Sequence, residues 1–285
     1  MNELVYAVIV CFNPDLELLS NNVRSIIAQV NNVVVVDNGS MNYEQYTEKL
    51  KTIGNIQYIR LEKNEGIAYA LNVGLDYCNG KCKWFISLDQ DSCAAPDMVE
   101  KLLEIAEPND SIVAPLIIDR NSVEENGVDY SHLNALTAIT SGCLNNVAIL
   151  KSVGGYNSDY FIDCVDHELC LRLTQSGYPI KHSKYAILYH AVGNIVTHRI
   201  LGLKFISTNH SPLRYYFQFR NRIITCKKYY RVFTMWCIKR FIFMWWDILL
   251  ILVFEKTKGK NFRFIIKGLN DGFHGKYNNN FDALK

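Results

Sequence analysis

Apolar runs that stop abruptly at acids or turn residues set the rhythm of the first half of this chain. Val5 to Cys11 is continuously apolar and breaks at Phe12-Asn13-Pro14-Asp15, which predicts a buried strand running into a loop. Leu16, Leu19, Val23, Ile26, Ile27 and Val30 follow at helical spacing, with Pro14 and Asp15 suited to a first turn. Val33 to Val36 then runs into Asp37-Asn38-Gly39-Ser40, a second buried strand ending in an acid and a tight turn. Strand, helix and strand in that order predict parallel pairing with a right-handed crossover. A third strand is predicted over Ile56 to Leu61. Glu62-Lys63-Asn64-Glu65-Gly66 turns it into a helix through Ala68, Ala70, Leu71, Val73, Gly74 and Leu75, whose small residues permit close approach to the sheet. Lys83 to Leu88 reads as a fourth strand, Pro96 to Ile105 as a short helix and Ile112 to Ile118 as a fifth strand. The alternation is that of an open, doubly wound α/β layer.

Beyond about residue 120 the pattern loosens. A helix is expected over Val147 to Val153, and Phe161-Ile162-Asp163-Cys164-Val165-Asp166-His167-Glu168 opens another through Leu169, Leu171, Arg172 and Leu173. Ile187 to His190 ends a strand. From Ser211 the chain turns aromatic and basic, with Arg214, Arg220 and Arg222 among four rings. The run Phe241 to Phe254, interrupted by Asp247, is too short for a bilayer span of about 20 apolar residues, so an interfacial or buried helix is expected.

Composition adds three constraints. At 285 residues and 49% hydrophobic the chain is long enough for one sizeable α/β domain and an appendage. Nine cysteines without a Cys-x-x-Cys pair support neither a disulfide framework nor a zinc ribbon, and read as reduced core residues. Net charge is only +2, yet residues 199–285 hold 17 Lys and Arg against 4 Asp and Glu, a local +13, which leaves −11 before them. An acidic catalytic part with a basic tail suggests an anionic partner for the tail: substrate phosphate, anionic lipid or nucleic acid. Glu3 breaks the apolar run at the amino terminus and no basic segment precedes it, so a cytoplasmic location is expected.

Candidate chemistry concentrates at strand and helix ends. Trp84-Phe85-Ile86-Ser87-Leu88-Asp89-Gln90-Asp91-Ser92 runs an apolar strand into two carboxylates one residue apart. Their mutual repulsion would be relieved by a hard divalent cation able to bridge to a phosphate at the open end of a parallel sheet. The competing reading is an acidic strand-to-helix turn with Asp91 or Ser92 near an N-cap. Asp163, Asp166, His167 and Glu168 cluster at a helix start, where acids also serve as caps and dipole partners.

Taken together, these motifs resemble the inverting glycosyltransferases of family 2, and within them the rhamnosyltransferase branch. The resemblance runs from Tyr6 to about Tyr229, with four motifs in order: Val8 to Pro14 with Val34 to Ser40, Asn64-x-Gly66-x-Ala68-x-Ala70-x-Asn72-x-Gly74, Leu88-Asp89-Gln90-Asp91-Ser92, and Val165 to Leu173. It implies the GT-A fold, a mostly parallel nucleotide-binding sheet flanked by helices, with residues 1–210 catalytic (1–118 for the nucleotide, 119–210 for the acceptor) and 211–285 a basic, aromatic helical appendage.

It also implies roles. Phe12, Asn13, Asp37, Asn64, Gly66, Asn72, Asp89, Arg214 and Arg220 would bind the donor. Asp91, Asp89 and His190 would hold Mg²⁺ or Mn²⁺, Asp166 would be the general base, and Glu168 and Ser141 would meet the acceptor. Val165 departs from the family's commoner Glu at that position, while Asp-x-Glu and the following Leu-Cys-Leu-Arg-Leu are kept. The Gln-x-x-Arg-Trp element of processive synthases is missing, which favours one sugar per encounter. The expected donor is dTDP-L-rhamnose. The expected acceptor is a saccharide, possibly lipid-linked, of an O-antigen or capsule type of polysaccharide, met at the inner face of the membrane.

Other classes fit less well. A sugar-nucleotide pyrophosphorylase would need a glycine-rich, basic loop after the first strand, where this chain has Cys-Phe-Asn-Pro-Asp. A nucleic-acid-binding role for the tail conflicts with the acids at 89, 91, 163, 166 and 168, and a dehydrogenase would need a glycine fingerprint that is missing.

Overall fold

The structure, a computed structural model, describes residues 4–119, 135–190, 196–200, 203–277 and 279. In chain order its elements are β1 (Val5–Cys11), α1 (Leu16–Ile27), β2 (Asn32–Asp37), α2 (Tyr43–Lys51), β3 (Ile56–Arg60), α3 (Ile67–Cys78), β4 (Trp84–Asp89), β5 (Cys93–Ala94), α4 (Met98–Leu103) and β6 (Ile112–Asp119). They continue with β7 (Leu144–Asn146), α5 (Val147–Ser152), α6 (Val165–Gln175), β8 (Ile180–His190), β9 (Val196–Ile200), β10 (Leu203–Ser207), α7 (Pro212–Tyr229), α8 (Thr234–Phe254) and α9 (Lys258–Phe273). By internal contact the chain divides into two compact units, Met1–Ser158 with Asp166–Ala191, and Asp159–Val165 with Val192–Lys285.

The first unit is built on an eight-stranded sheet of order β3-β2-β1-β4-β7-β6-β8-β5. Its β3-β2-β1-β4 half is parallel throughout, as strands joined by helical crossovers must be. Val8, Ile9, Val34, Val35, Phe85 and Ile86 are fully buried, because helices cover both faces. Asp15 caps α1, its Oδ1 accepting from the Glu17 and Leu18 N–H groups at 2.9 and 3.0 Å. The helix stops at Ile27, short of the expected Val30, which still packs against the core from the following turn. On α3, a Cβ at Gly74 would lie 2.3 Å from Val8 Cγ1, so the small residue is what lets the helix sit on β1.

The other half of the sheet departs from simple alternation. β7 enters antiparallel between β4 and β6, β8 runs parallel to β6, and the short β5 closes the edge antiparallel to β8. β1 therefore lies between β2 and β4, and the crevice at the carboxyl ends of β1 and β4 is the switch point where α/β sheets bind ligands.

In the second unit Tyr215, Phe219 and Ile223 of α7 pack with Met244, Ile248 and Ile251 of α8 and with Ile265 of α9. α9 approaches α7 closely: a Cβ at Gly268 would stand 2.4 Å from the Tyr216 carbonyl oxygen. No described helix is long and apolar enough to cross a membrane.

Candidate active site

Two hydrogen-bonded groups ring the carboxyl ends of β1, β2 and β4, and a third lies on α6. The first joins the turns after β1 and β2. Asn13, in the left-handed region at φ 46°, donates its N–H to Ser40 Oγ at 2.8 Å and accepts from the Met41 N–H through its side chain at 2.8 Å. Asp37 pairs with Cys11 across the sheet and is fully buried, its Oδ2 accepting from the Ser40 N–H at 3.1 Å with Arg60 Nε 3.9 Å away. Asn38 donates to Asn64 Oδ1 at 3.0 Å and accepts from the Glu65 N–H at 2.9 Å, while Asn64 Oδ1 also receives the Gly66 N–H at 3.0 Å. Gly66, at φ 93°, begins α3 in a conformation that a Cβ would strain. Phe12 is exposed at the rim, and its N–H donates to Gln90 Oε1 at 2.8 Å. Gln90, the residue between the two acids, therefore ties their turn to β1. Sequence reasoning did not single it out.

The second group surrounds those acids. Asp89 ends β4 with its N–H on Ser141 Oγ at 3.1 Å and its carbonyl oxygen accepting from Asn22 Nδ2 at 2.5 Å. Ser92 Oγ lies 2.7 Å from Ser141 Oγ and 2.9 Å from His190 Nδ1. The His190 ring sits between the carboxylates, with Nε2 3.9 Å from Asp89 Oδ2 and Nδ1 3.7 Å from Asp91 Oδ1. Both aspartate side chains are 34% exposed and His190 15%. Pairing of β5 with the end of β8, Cys93 opposite Tyr189, delivers the histidine there.

Among the described residues no group of three or more His, Cys, Asp or Glu is placed to hold a metal ion. The donor chemistry nonetheless fits. Two carboxylates and an imidazole on a partly open turn suit a hard divalent ion that takes further ligands from phosphate and water.

The third group lies on α6. Asp166, in the first turn, is partly exposed and its Oδ1 accepts from the His167 N–H at 2.7 Å. Glu168 is fully buried and holds Arg172 by a two-pronged ion pair, Nη2 to Oε2 2.8 Å and Nε to Oε1 3.1 Å. Arg172 also donates to the carbonyls of Val153 and Gly155, fastening the turn after α5. Asn72 completes that turn, its amide bonded to the Tyr156 backbone on both sides at 2.7 and 2.8 Å. Burial, with the Asp166 charge adding to it, pushes the nearby Cys170 thiol up to about 12, so it stays neutral.

Arg214 and Arg220 belong to the second unit. Arg214 is paired with Asp163 at 3.3 Å. Arg220 is fully buried, bonded to Asn221, Asn279 and the Asp159 carbonyl, with its guanidinium 4.9 Å from the Phe217 ring centre. Asn221 donates to the carbonyls of Ile162 and Asp163 at 2.8 and 3.0 Å, holding two successive residues, Asp163 and Cys164, in the left-handed region.

The glycosyl transferase family 2 description matches residues 6–153, more than half of the chain. The chain belongs to glycosyl transferase family 2. It is 30% identical over 293 residues to dTDP-rhamnosyl transferase RfbF of Shigella flexneri, covering 96% of this chain and 97% of that one. The mannosyltransferase PcManGT of Pyrobaculum calidifontis, solved with GDP-Man and Mn²⁺, superposes with a TM-score of 0.62 at 12% identity, over 97% of this chain and 88% of that one. GalNAc-T7, solved with UDP, GalNAc and Mn²⁺, gives 0.59 at 13% identity over 95% of this chain, which spans 56% of that longer chain. This glycosyltransferase thus has the GT-A fold expected of it, a mixed sheet flanked by helices with further helices at the carboxyl end.

Proposed function

We propose that this glycosyltransferase moves L-rhamnose from dTDP-L-rhamnose, with inversion, to a saccharide acceptor in the assembly of an O-antigen- or capsule-type polysaccharide. The observation that carries the site is the convergence of Asp89, Asp91 and His190 at the switch point of the sheet. The choice of donor is supported by the likeness to RfbF along nearly the whole chain.

Asp91, Asp89 and His190 would hold Mg²⁺ or Mn²⁺. The bound ion would offset the negative charge that develops on the leaving diphosphate. Phe12 and Asn13 offer a ring and a fixed turn at the rim to the nucleoside. Asp37, whose carboxylate is held in the turn after β2, and Asn64, whose Oδ1 is held by Asn38 and Gly66, act by shaping that rim. Asp166 takes the proton of the acceptor hydroxyl, a contribution of about 10²–10⁴-fold. Displacement from the face opposite the leaving group inverts the anomeric centre, through a transition state with oxocarbenium character.

Three side chains act from behind the site in this proposal. Ser141 orients Asp89 and Ser92, Glu168 anchors Arg172, and Arg220 supports its own unit. Each is buried and already hydrogen-bonded, so a direct substrate contact would first have to break those bonds. Arg214, partly exposed, keeps its proposed place with the donor phosphates. The acceptor is proposed to be lipid-linked and met at the inner membrane surface.

A panel of dTDP-, UDP- and GDP-sugars with Mg²⁺ or Mn²⁺, read as thermal stabilisation and slow donor hydrolysis, tests the reading. Stabilisation by dTDP-L-rhamnose alone is expected. A response confined to a UDP- or GDP-sugar would overturn the donor and leave the enzyme class standing.

A further inference from the structure

Helix α8 has two apolar sides, and the described residues bury one of them. Met244, Ile248 and Ile251 pack into the core shared with α7 and α9. On the other side Met235, Ile242, Trp245, Trp246, Leu249 and Val253 recur at helical spacing and are between 46% and 65% exposed. From Phe241 to Phe254 the only charged residue is Asp247, and it is turned to Arg222 at 2.7 Å. A helix facing water alone would carry polar groups along that side, and an exposed apolar strip of this extent marks an interaction surface.

The charges beside the strip have one sign. Residues 234–273, α8, α9 and the turn between them, contain seven Lys and Arg against three acids. Each acid is spent internally: Asp247 on Arg222, Glu255 on Tyr215 and Asn261, and Asp271 on Tyr216. Lys239, Lys256, Lys258, Lys260 and Arg263 are exposed. On α9, Phe262, Ile266 and Phe273 add a second exposed apolar stripe between the basic residues.

We propose that this surface docks on an anionic lipid bilayer, with α8 lying in the plane of the interface. Twenty-one residues of helix are about 30 Å long. The helix is not apolar enough to cross, while tryptophans flanked by lysines suit the boundary between headgroups and acyl chains. A second copy of the chain is the poorer occupant, because a two-fold pairing of this face would set two positive rims against each other. The inference rests on the proposed function in one respect only, that a lipid-linked acceptor would be presented at the same surface.

The test uses the full chain and vesicles of phosphatidylcholine alone, or with roughly one-third phosphatidylglycerol to supply the negative surface potential. No donor or acceptor is present, so the outcome is independent of transfer. Co-sedimentation with the anionic vesicles is expected, falling as salt rises, together with quenching of tryptophan fluorescence by brominated lipid. The double variant Ile242→Glu/Leu249→Glu, at exposed positions, should keep its melting temperature and its donor hydrolysis while the bound fraction falls about tenfold. Three results would overturn the docking: no binding to anionic vesicles at low salt, equal binding by the double variant, or a dimer in sedimentation velocity that the double variant abolishes. If binding fails while the donor panel behaves as expected, the proposed function stands without the membrane. If binding holds while no nucleotide-sugar responds, the docking stands without the proposed function.

Discussion

Ser92 Oγ and His190 Nδ1 lie 2.9 Å apart although 98 residues separate them in the chain. For Nε2 to serve as a metal ligand, Nδ1 must carry the proton, and Ser92 is placed to accept it. The Ser92 hydroxyl then donates to Ser141 Oγ at 2.7 Å, and Ser141 receives the Asp89 N–H at 3.1 Å. One chain of hydrogen bonds thus sets the ring of the histidine and the backbone of the first acid together.

Ser92→Ala should accordingly weaken metal-dependent donor binding about 10–100-fold, the usual scale for a residue that orients a metal ligand. Asp91→Asn, which removes a proposed ligand itself, should weaken it further. Calorimetry of a nucleoside diphosphate with Mn²⁺ and with chelator reads both, and an unchanged affinity in Asp91→Asn would remove that residue from the metal site.

Asp166 and Glu168 stand two residues apart on α6, yet their surroundings separate them. Asp166→Asn is expected to lower kcat about 10²–10⁴-fold with donor KM and melting temperature nearly unchanged. Glu168→Gln leaves Arg172 without its ionic partner in a buried place and should cost about 3–5 kcal/mol of stability, seen as a lower Tm. A Glu168→Gln enzyme of full stability but without transfer would exchange the two roles.

His210 makes the second unit acid-sensitive. Burial, helped by the Arg214 charge, lowers its imidazole to about 4, so the folded form keeps it neutral while the unfolded chain takes up a proton near 6.5. The unfolded state binds more protons in that window, so stability falls as pH drops from about 6.5 towards 4. His210→Gln should flatten the Tm-against-pH curve over that range, and an unchanged slope would place the sensitivity elsewhere.

Gly74 offers a packing test. Gly74→Ala puts a methyl group against Val8 and should cost about 1–3 kcal/mol. Val8→Ala in the same chain opens room for it, so denaturation of the four proteins should show non-additivity of the contact's sign.

The parallel half of the sheet was legible because its strands are buried on both faces and read as unbroken apolar runs, each ended by the polar residues that line the crevice. Asp89 and Asp91 stood out for the same reason. Tyr43, Tyr46 and Leu50 of α2 also recur at helical spacing, a signal that was present and unused.

What the chain by itself determined is local: the β-α-β alternation, the cap at Asp15, the acids at the end of β4 and at the start of α6, and the basic tail. The tertiary structure decided which of these meet. The antiparallel insertion of β7 carries no mark in its three residues, because register across a sheet is set by neighbours distant in sequence. His190 reaches the acids through the pairing of β8 with β6 and β5. Whether Ser141, Glu168 and Arg220 face substrate or the interior also depends on burial, which is a property of packing and not of composition. The sides of α8 were ambiguous for the same physical reason: an apolar helix is equally suited to a protein core and to a lipid surface, and it is tertiary packing that buries Met244, Ile248 and Ile251 and leaves Ile242, Trp245 and Leu249 exposed.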